Sequence, residues 1–307
     1  MPLNDAHCHF FSRRFFEMLA RDAGGRFDAD PAAAVPEALG WEAPGTTQQL
    51  ANRWMAEIDR HQVQRAVLIA SVPGDEQAIV EALAMHPAAF VGFFMVNPLA
   101  ESAVERTRQA LSDGVRGVCL FPAMQRYSLL DARVAAIVDV AAHTRSAAVF
   151  VHCGVLSVGA RKKLELPSRF EARFGHPLDV QALAANWPDV PFIIPHFGAG
   201  FLHEALMAAD MCPNIHLDTS SSNRWIKYFP GLTLETVFRH AVQVLGPERL
   251  LFGTDSSFFP RGWQRPIFDT QVEALDRLNL NARDVDLILG GNFDRLCAGA
   301  AEAAAAV

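Results

Sequence analysis

Short apolar runs typical of β-strands alternate with amphipathic helical patterns along nearly the whole chain. Eight strand-then-helix units without a long break in composition predict a parallel sheet closed on itself, the (β/α)8 or TIM barrel. A doubly wound open sheet is the alternative, which eight units and the lack of a glycine-rich first turn disfavour. We predict the strands at residues 3–10, 65–71, 90–96, 117–121, 148–152, 191–196, 214–219 and 250–254.

The helical patterns follow these strands, and several begin at a residue that suits a helix N-cap, such as Thr46 or Asp131. Together the units predict one domain over residues 1–307. The Ala-rich residues 298–307 are expected to form a helix end or a frayed tail without chemistry. We predict the helices at residues 46–61, 75–85, 101–112, 131–144, 179–186, 201–209, 233–245 and 266–278.

Two connections are longer than a barrel requires, residues 24–45 after the first strand and residues 154–178 after the fifth. The first is rich in Pro, Gly and Ala, and the second carries Arg161, Lys162 and Lys163. Both follow the carboxyl ends of strands, where barrel enzymes keep their active sites. We therefore expect them to act as lids or substrate loops.

Charge and cysteine content narrow the partners and the compartment. With 27 Lys and Arg against 34 Asp and Glu, the net charge is −7, which disfavours nucleic acid or an anionic membrane as partner. No apolar run is long enough to span a bilayer, and because the first predicted strand begins at residue 3 we expect no cleavable signal peptide. Five cysteines without a CxxC pair indicate reduced thiols, so we expect a cytoplasmic protein.

The most informative motif is Asp5-Ala6-His7-Cys8-His9, on the first predicted strand. Because side chains alternate in a strand, Asp5, His7 and His9 are expected to share one face. The two histidine Cα atoms then lie roughly 6.6 Å apart, so that both rings can lean toward one metal ion. Cys8 is expected to point the opposite way, into the packing against the helices.

Three further residues of the same chemical type follow the carboxyl ends of later strands: His152 after the fifth, His196 after the sixth and Asp255 after the eighth. Strand ends of a barrel converge on one mouth. His7, His9 and these three residues are therefore predicted to meet near the barrel axis, where they form a site rather than separate core histidines.

These residues carry a family resemblance. DxHxH at residues 5–9, HCG at 152–154, PHFG at 195–198, GTD at 253–255 and GGNFDRL at 290–296 occur in the order typical of amidohydrolases. The chain resembles the amidohydrolase superfamily, and within it the branch that includes aminocarboxymuconate-semialdehyde decarboxylase and aromatic-acid decarboxylases. The resemblance covers essentially the whole chain.

The resemblance implies one divalent metal ion, most often zinc, with Mn, Co or Fe possible because His and Asp sites accept all four. It implies His7, His9, His152 and Asp255 as ligands and His196 as the catalytic acid or base. A second ion usually needs a carboxylated Lys or a Glu on the third or fourth strand. The fourth strand offers neither, and its Cys119 is expected to be a packing thiol.

A divalent ion with an open position brings the pKa of bound water down to about 7. Asp255 is then the expected acceptor of the water's proton, and His196 is expected to polarise the substrate oxygen or to carry protons.

Basic residues recur in the connections on the mouth side of the barrel, in a protein that is acidic as a whole. They indicate a small anionic substrate, most simply a carboxylate, which an Arg can bind through two parallel hydrogen bonds. Trp225, Phe258, Phe259 and Trp263 are candidates for an aromatic wall. The predicted substrate-binding residues are Arg126, Arg161, Asp218, Arg224 and Arg261.

Several functions are compatible with these residues. Hydrolysis of a C–O or C–N bond in a small carboxylated lactone, ester or amide is the first hypothesis, and non-oxidative decarboxylation of an aromatic or muconate-like acid is the second. A TatD-like nuclease fits less well, because it needs an additional mid-chain Glu ligand. A metal-free lactonase or a binding-only barrel completes the alternatives. A homodimer is expected from the resemblance.

Overall fold

A computed structural model describes residues 3–27 and 29–296. Eight strands form one sheet in which each strand pairs in parallel with the next, in the order of the sequence. This confirms the predicted (β/α)8 barrel. The strands are β1 (Asn4–Phe10), β2 (Arg65–Ala70), β3 (Phe90–Met95), β4 (Gly117–Leu120), β5 (Ala148–Val151), β6 (Phe192–Ile194), β7 (Ile215–Asp218) and β8 (Leu250–Leu251).

The barrel closes where β1 meets β8 and the residues that follow it. The amide of Ala6 donates to the carbonyl of Phe252 at 2.9 Å, and the amide of Asp255 donates to the carbonyl of His7 at 2.9 Å. β8 is shorter than predicted, and the chain after it continues this pairing as far as a bridge between Cys8 and Ser256. The closure therefore holds Asp255 beside the histidines of β1.

The predicted helices form within a few residues of their expected ends, and short helices occur beside them. Short 3-10 turns lie at Ala172–Phe174, His196–Gly198, Arg224–Tyr228 and Pro247–Arg249, and a π-helical turn lies at Leu287–Gly291. In the described ranges the α-helices are α1 (Arg13–Asp22), α2 (Pro31–Leu39), α3 (Thr47–Arg60), α4 (Glu76–Met85), α5 (Ala103–Ser112), α6 (Pro122–Gln125), α7 (Ala132–Ala142), α8 (Gly159–Lys163), α9 (Pro177–Ala184), α10 (Leu202–Met211), α11 (Leu234–Leu245), α12 (Arg265–Asp276), α13 (Ala282–Asp286) and α14 (Asn292–Leu296).

Two apolar layers follow from the alternation of side chains along the strands. On β2, Leu68 belongs to the larger layer between sheet and helices, whereas its neighbours Val67 and Ile69 belong to the layer inside the barrel. Phe293, from α14, also lies in the inner layer. The barrel interior is therefore packed, and the polar residues gather at the carboxyl ends of the strands.

A third apolar cluster joins the two long connections. It includes Phe16 and Leu19 of α1, Leu39 of α2 and Leu164, which directly follows α8. Lys163 donates from Nζ to the carbonyl of Leu39 at 3.2 Å, which ties the second connection to the first. The lid role predicted for these connections stays a prediction, but the structure shows that they pack against each other.

The cysteines Cys8, Cys119, Cys153 and Cys212 are free and buried. This agrees with the expectation of reduced thiols, while Cys297 and the Ala-rich residues 298–307 lie outside the described ranges. Among the helices described, none is long and apolar enough to cross a membrane.

Candidate metal centre and active site

The strand ends bring donor atoms of three predicted site residues together at the barrel mouth. His7 Nε2 and His9 Nε2 lie 3.3 Å apart. Oδ1 of Asp255 lies 3.1 Å from His9 Nε2 and 3.8 Å from His7 Nε2. The ring centroid of His196 lies 5.0 Å from that of His7 and 5.3 Å from that of His152. The structure therefore brings His7, His9 and Asp255 together, with His196 beside His7 and His152 beside His196.

A bulge in β1 changes which residues share a face. Asp5 is level with Ala66 on β2, but Cys8 is level with Leu68, so three steps along β1 match two along β2. An extra residue in one strand breaks the alternation of side chains. The prediction that Asp5 shares a face with His7 is therefore wrong.

Asp5 instead points into the layer between the sheet and the helices, where Trp263 also lies. Its carboxylate accepts from Trp263 Nε1 at 2.7 Å, from Thr254 Oγ1 at 2.5 Å and from the Thr254 amide at 3.1 Å. It also accepts from the amide of His7 at 2.9 Å. Burial raises the pKa of Asp5 although these hydrogen bonds act to lower it. Asp5 thus joins β1 to the chain after β8, the two segments that carry His7 and Asp255.

His7 is held from behind by Asp218, at the end of β7. His7 Nδ1 lies 2.6 Å from Asp218 Oδ2, and both side chains are buried. Burial acts to lower the pKa of His7, but the charge and hydrogen bond of Asp218 together with the charges of Asp255 and Asp5 outweigh it, and the pKa is raised. Burial likewise acts to raise the pKa of Asp218, which the paired His7 holds below its usual value. Because an ionised carboxylate only accepts, Nδ1 carries a proton in either charge state of the ring. When the ring is neutral, as a metal ligand must be, its Nε2 lone pair faces His9 and Asp255.

His9 is also held by a partner on Nδ1, which lies 2.7 Å from Ser71 Oγ. Ser71 Oγ donates its own proton to the carbonyl of Ile69 at 2.9 Å, so it accepts from His9 Nδ1. Burial lowers the pKa of His9, which favours the neutral ring. His9 Nε2 therefore also presents a lone pair toward Asp255.

His152 contributes an imidazole nitrogen without a partner. Its side chain is 5 % exposed, and its Nδ1 has no hydrogen-bond partner within the described residues. Burial, and then the charge of His196, lower the pKa of His152 well below its usual value. A buried polar atom left unpaired costs about 1–3 kcal/mol, unless it has a ligand.

This donor set fits a divalent metal ion. Ligands of a tetrahedral ion with bonds of about 2.1 Å lie ~3.4 Å apart, close to the spacing between His7, His9 and Asp255. Asp255 has a positive φ of 60°, a conformation uncommon outside glycine that occurs at functional sites. Burial acts to raise its pKa, but the histidines hold it below its usual value, so the carboxylate is ionised. Cys119 lies in the barrel interior, where burial raises the pKa of its thiol well above its usual range.

Of the predicted substrate-binding residues, Arg261 lies beside the site. Its Nη2 donates to Ser257 Oγ at 2.6 Å and lies 3.5 Å from the carbonyl of Asp255. The guanidinium stands 4.3 Å over the ring of Phe258. Arg224 is exposed at the start of its 3-10 turn, after β7.

The other predicted residues are engaged elsewhere. Arg126 donates from Nε to Glu171 at 3.2 Å, with its side chain 60 % exposed. Arg161 forms an ion pair with Asp22 of α1, which ties α8 to α1. The structure does not bring these two guanidinium groups into contact with the described histidines. Asp218 is fully buried against His7 and is not exposed to a substrate.

The aromatic residues around the site differ from those expected. Trp225 and Trp263 are buried in the layer between sheet and helices, and Phe259 packs against that layer. Phe258 instead stacks on Trp41 at 3.9 Å, a residue that sequence reasoning missed.

Phe11 was also missed. Its ring lies 5.6 Å from that of His9 and 6.1 Å from that of Trp41. The position of Phe11, two residues beyond His9, was a usable signal, whereas nothing in the sequence marks Trp41.

Two serines that contact the histidines were missed as well. Ser71 lies one residue beyond β2, and Ser220 lies two residues beyond Asp218. Their places after strand ends were the available signal, but buried serines are common in any core. Only the contacts with His9, His7 and His196 distinguish them.

Three solved structures with the same fold illustrate the likeness. A probable 2-pyrone-4,6-dicarboxylic acid hydrolase from Acinetobacter baumannii, with citric acid bound, is 15% identical, with 96% of this chain and 99% of that chain covered and a TM-score of 0.60. An amidohydrolase from Burkholderia multivorans with bound zinc is 17% identical, with 97% and 100% covered and a TM-score of 0.63. A 5-carboxyvanillate decarboxylase from Novosphingobium aromaticivorans with bound manganese is 14% identical, with 96% of both chains covered and a TM-score of 0.63.

Sequence comparisons identify the family. Among curated proteins, Protein fluG from Emericella nidulans is 31% identical over 88 residues, which span 28% of this chain and only 10% of that protein. The sequence profile described as amidohydrolase matches residues 4–296, nearly the whole chain. The chain therefore belongs to the amidohydrolase family.

Proposed function

We propose that the protein is a metal-dependent hydrolase that cleaves a C–O or C–N bond in a small carboxylated lactone, ester or amide. The observation that carries the proposal is the convergence of His7 Nε2, His9 Nε2 and Asp255 Oδ1 within 3.8 Å. His152 is the fourth proposed ligand, because its buried Nδ1 lacks another partner. Zinc suits three imidazoles and a carboxylate, although Mn, Co and Fe bind the same donors.

When bound, such an ion supplies the Lewis acidity that makes a water molecule acidic near neutral pH. The protein's own groups then handle the protons. Asp255, ionised because His9 and His7 hold its pKa low, accepts the proton of the attacking water and passes it to the leaving oxygen or nitrogen. His196, beside His7, polarises the substrate oxygen or carries protons.

Arg261 is the proposed anchor for the substrate carboxylate. Its guanidinium is held by Ser257 and Phe258 close to Asp255, so it need not be ordered when substrate binds. Phe11 and Trp41 extend the same side of the site beyond His9 and offer apolar surface to the rest of a small substrate.

Non-oxidative decarboxylation is the second candidate, in which a proton replaces a carboxylate that leaves as CO2. Phe11 and its neighbour Trp41 favour it, because they place aromatic side chains beside His9 for contact with a planar aromatic or muconate-like acid. The structural likeness to a 5-carboxyvanillate decarboxylase is at 14% identity and shows the fold alone.

The two reactions are distinguished by their products. Zinc-supplied protein is incubated with carboxylated lactones, esters and amides and, separately, with aromatic and muconate-like acids. Release of acid or amine, lost in His196→Gln and kept in the exposed control His143→Ala, supports hydrolysis. Release of CO2 with the same dependence replaces the first proposal by the second, and no turnover of either panel by a metal-loaded protein contradicts both.

A further inference from the structure

The two sides of the barrel mouth differ in chemical character. The eight strands follow the order of the sequence and the barrel closes between β8 and β1, so β4 lies across from β8 and β5 lies across from β1. Asp255 and Arg261 follow β8, which makes that side of the mouth charged. The opposite side is built from the residues that follow β4 and β5.

That opposite side is apolar. Met124 of α6 and Leu156, in the connection after β5, are partly buried and pack on the inner layer of the barrel. Phe121 directly follows β4, belongs to the inner layer and stacks on the ring of His152 with centroids 5.4 Å apart. Phe121, Met124 and Leu156 therefore form an apolar rim across the mouth from Arg261.

The cations of the connections that carry this rim are paired within the protein. Arg126 lies 3.2 Å from a carboxylate oxygen of Glu171, and Arg173 lies 2.5 Å from the other. Their side chains are 60 % and 73 % exposed, so both guanidinium groups lie mostly in solvent. Arg161, in the same connection as Glu171, is paired with Asp22 of α1. Each of these three cations thus already has a carboxylate partner.

We propose that the apolar rim binds an uncharged hydrocarbon end of the substrate, so that the site selects monocarboxylates over dicarboxylates. This rests on the proposed function, in which Arg261 binds the substrate carboxylate and the reacting bond lies at the metal centre between the two sides. A second carboxylate at the rim would lose water against Met124 and Leu156 without a buried cation of these connections beside it, which is costly. A methyl group or aromatic carbon there is instead stabilised by the apolar area that it buries.

Binding of two rigid acids to the zinc-supplied protein tests the proposal without turnover. The anions para-toluate and terephthalate differ only in the group opposite the shared carboxylate, which is a methyl group in the first and a second carboxylate in the second. Isothermal titration calorimetry should show that para-toluate binds about 10- to 100-fold more tightly than terephthalate. Arg261→Gln should weaken the binding of para-toluate about 10-fold, because it removes the charged hydrogen bonds to the carboxylate.

Met124→Lys should reverse the preference, because it places a cation where the second carboxylate of terephthalate lies. We expect it to strengthen terephthalate binding and to weaken para-toluate binding, each about 10-fold. Leu130→Lys is the matched control, since Leu130 lies in the same β4-to-α7 connection and is 62 % exposed. It should keep the preference of the wild type.

Terephthalate binding to the wild type as tightly as para-toluate overturns the proposal, and so does the failure of both acids to bind. Neither result depends on whether Met124→Lys folds. An unchanged preference in folded Met124→Lys, or para-toluate binding that Arg261→Gln leaves unaltered, overturns it too. Failure of the hydrolase proposal is observed separately, as the absence of product release by metal-loaded protein, so the two failures are distinguishable.

Discussion

At the residue scale, the site owes its chemistry to buried groups whose partners fix their protonation. Asp218 and Ser71 orient His7 and His9 from behind through Nδ1, which leaves both Nε2 atoms for a shared ligand. His152 keeps an unpaired nitrogen, and Asp255 stays ionised among the histidines. The side chains that contact Nδ1 of His7 and His9 thus determine that both Nε2 atoms are available to bind a ligand.

Arg261 gives the most direct residue-scale prediction about substrate. Arg261→Gln should raise KM for a carboxylated substrate by about 10- to 100-fold, because a charged hydrogen bond contributes about 1.5–3 kcal/mol. Steady-state kinetics provide the measurement, with the surface variant Arg133→Gln as control. An unchanged KM would mean that another group binds the carboxylate.

A second residue-scale prediction concerns stability and Asp75. Burial raises the pKa of Asp75 to about 7, although Ser12 Oγ donates to it at 2.6 Å. The folded protein therefore retains a proton that the unfolded chain releases near pH 4, so stability falls as the pH rises toward about 7. Asp75→Asn removes this dependence and can still accept from Ser12.

Urea unfolding at pH 5 and pH 8 measures the effect. Between these pH values the wild type should lose about 2–3 kcal/mol relative to Asp75→Asn. The exposed variant Asp139→Asn should follow the wild type. If the free energy of unfolding changed equally with pH in the wild type and in Asp75→Asn, Asp75 would ionise normally in the folded protein.

At the element scale, the bulge in β1 is the feature that arranges the mouth. It turns Asp5 toward Trp263 and Thr254 and leaves His7 facing the barrel interior. Asp5→Asn should destabilise the fold by about 2–4 kcal/mol. The substitution replaces one carboxylate oxygen by an NH2 group, which cannot accept the hydrogen bonds that the surrounding donors make. Denaturant unfolding of metal-free protein checks this, and a change below about 0.5 kcal/mol would contradict it.

The connection at residues 154–178 is the second element-scale feature, because its helix α8 is tied to α1 by the ion pair of Arg161 with Asp22. Arg161→Ala should speed hydrogen exchange in residues 154–178, while the exchange of the barrel strands stays unchanged. If Arg161 bound substrate instead, the variant would raise KM and leave exchange as in the wild type. Exchange measured by mass spectrometry alongside kinetics separates the two roles.

At the scale of the whole molecule, the barrel and the five converging residues followed from strand periodicity and from the rule that strand ends share one mouth. The direction of Asp5 did not, because a bulge depends on pairing between β1 and β2 that no local pattern records. Ser220 was also missed, since its contact with His7 spans 213 positions. Helix α2 was not predicted, because it lies in residues 24–45, a connection rich in Pro, Ala and Gly that does not show a helical pattern.

The metal centre is the claim on which the remaining chemistry depends. Elemental analysis should find about one tightly held divalent ion per chain in the wild type and in the exposed control His143→Ala. The double variant His7→Ala/His9→Ala should lose it, because two of the four proposed donors are gone. An absence of bound metal in the wild type after supplementation with zinc or manganese, or full metal content in the double variant, would contradict the metal-dependent mechanism.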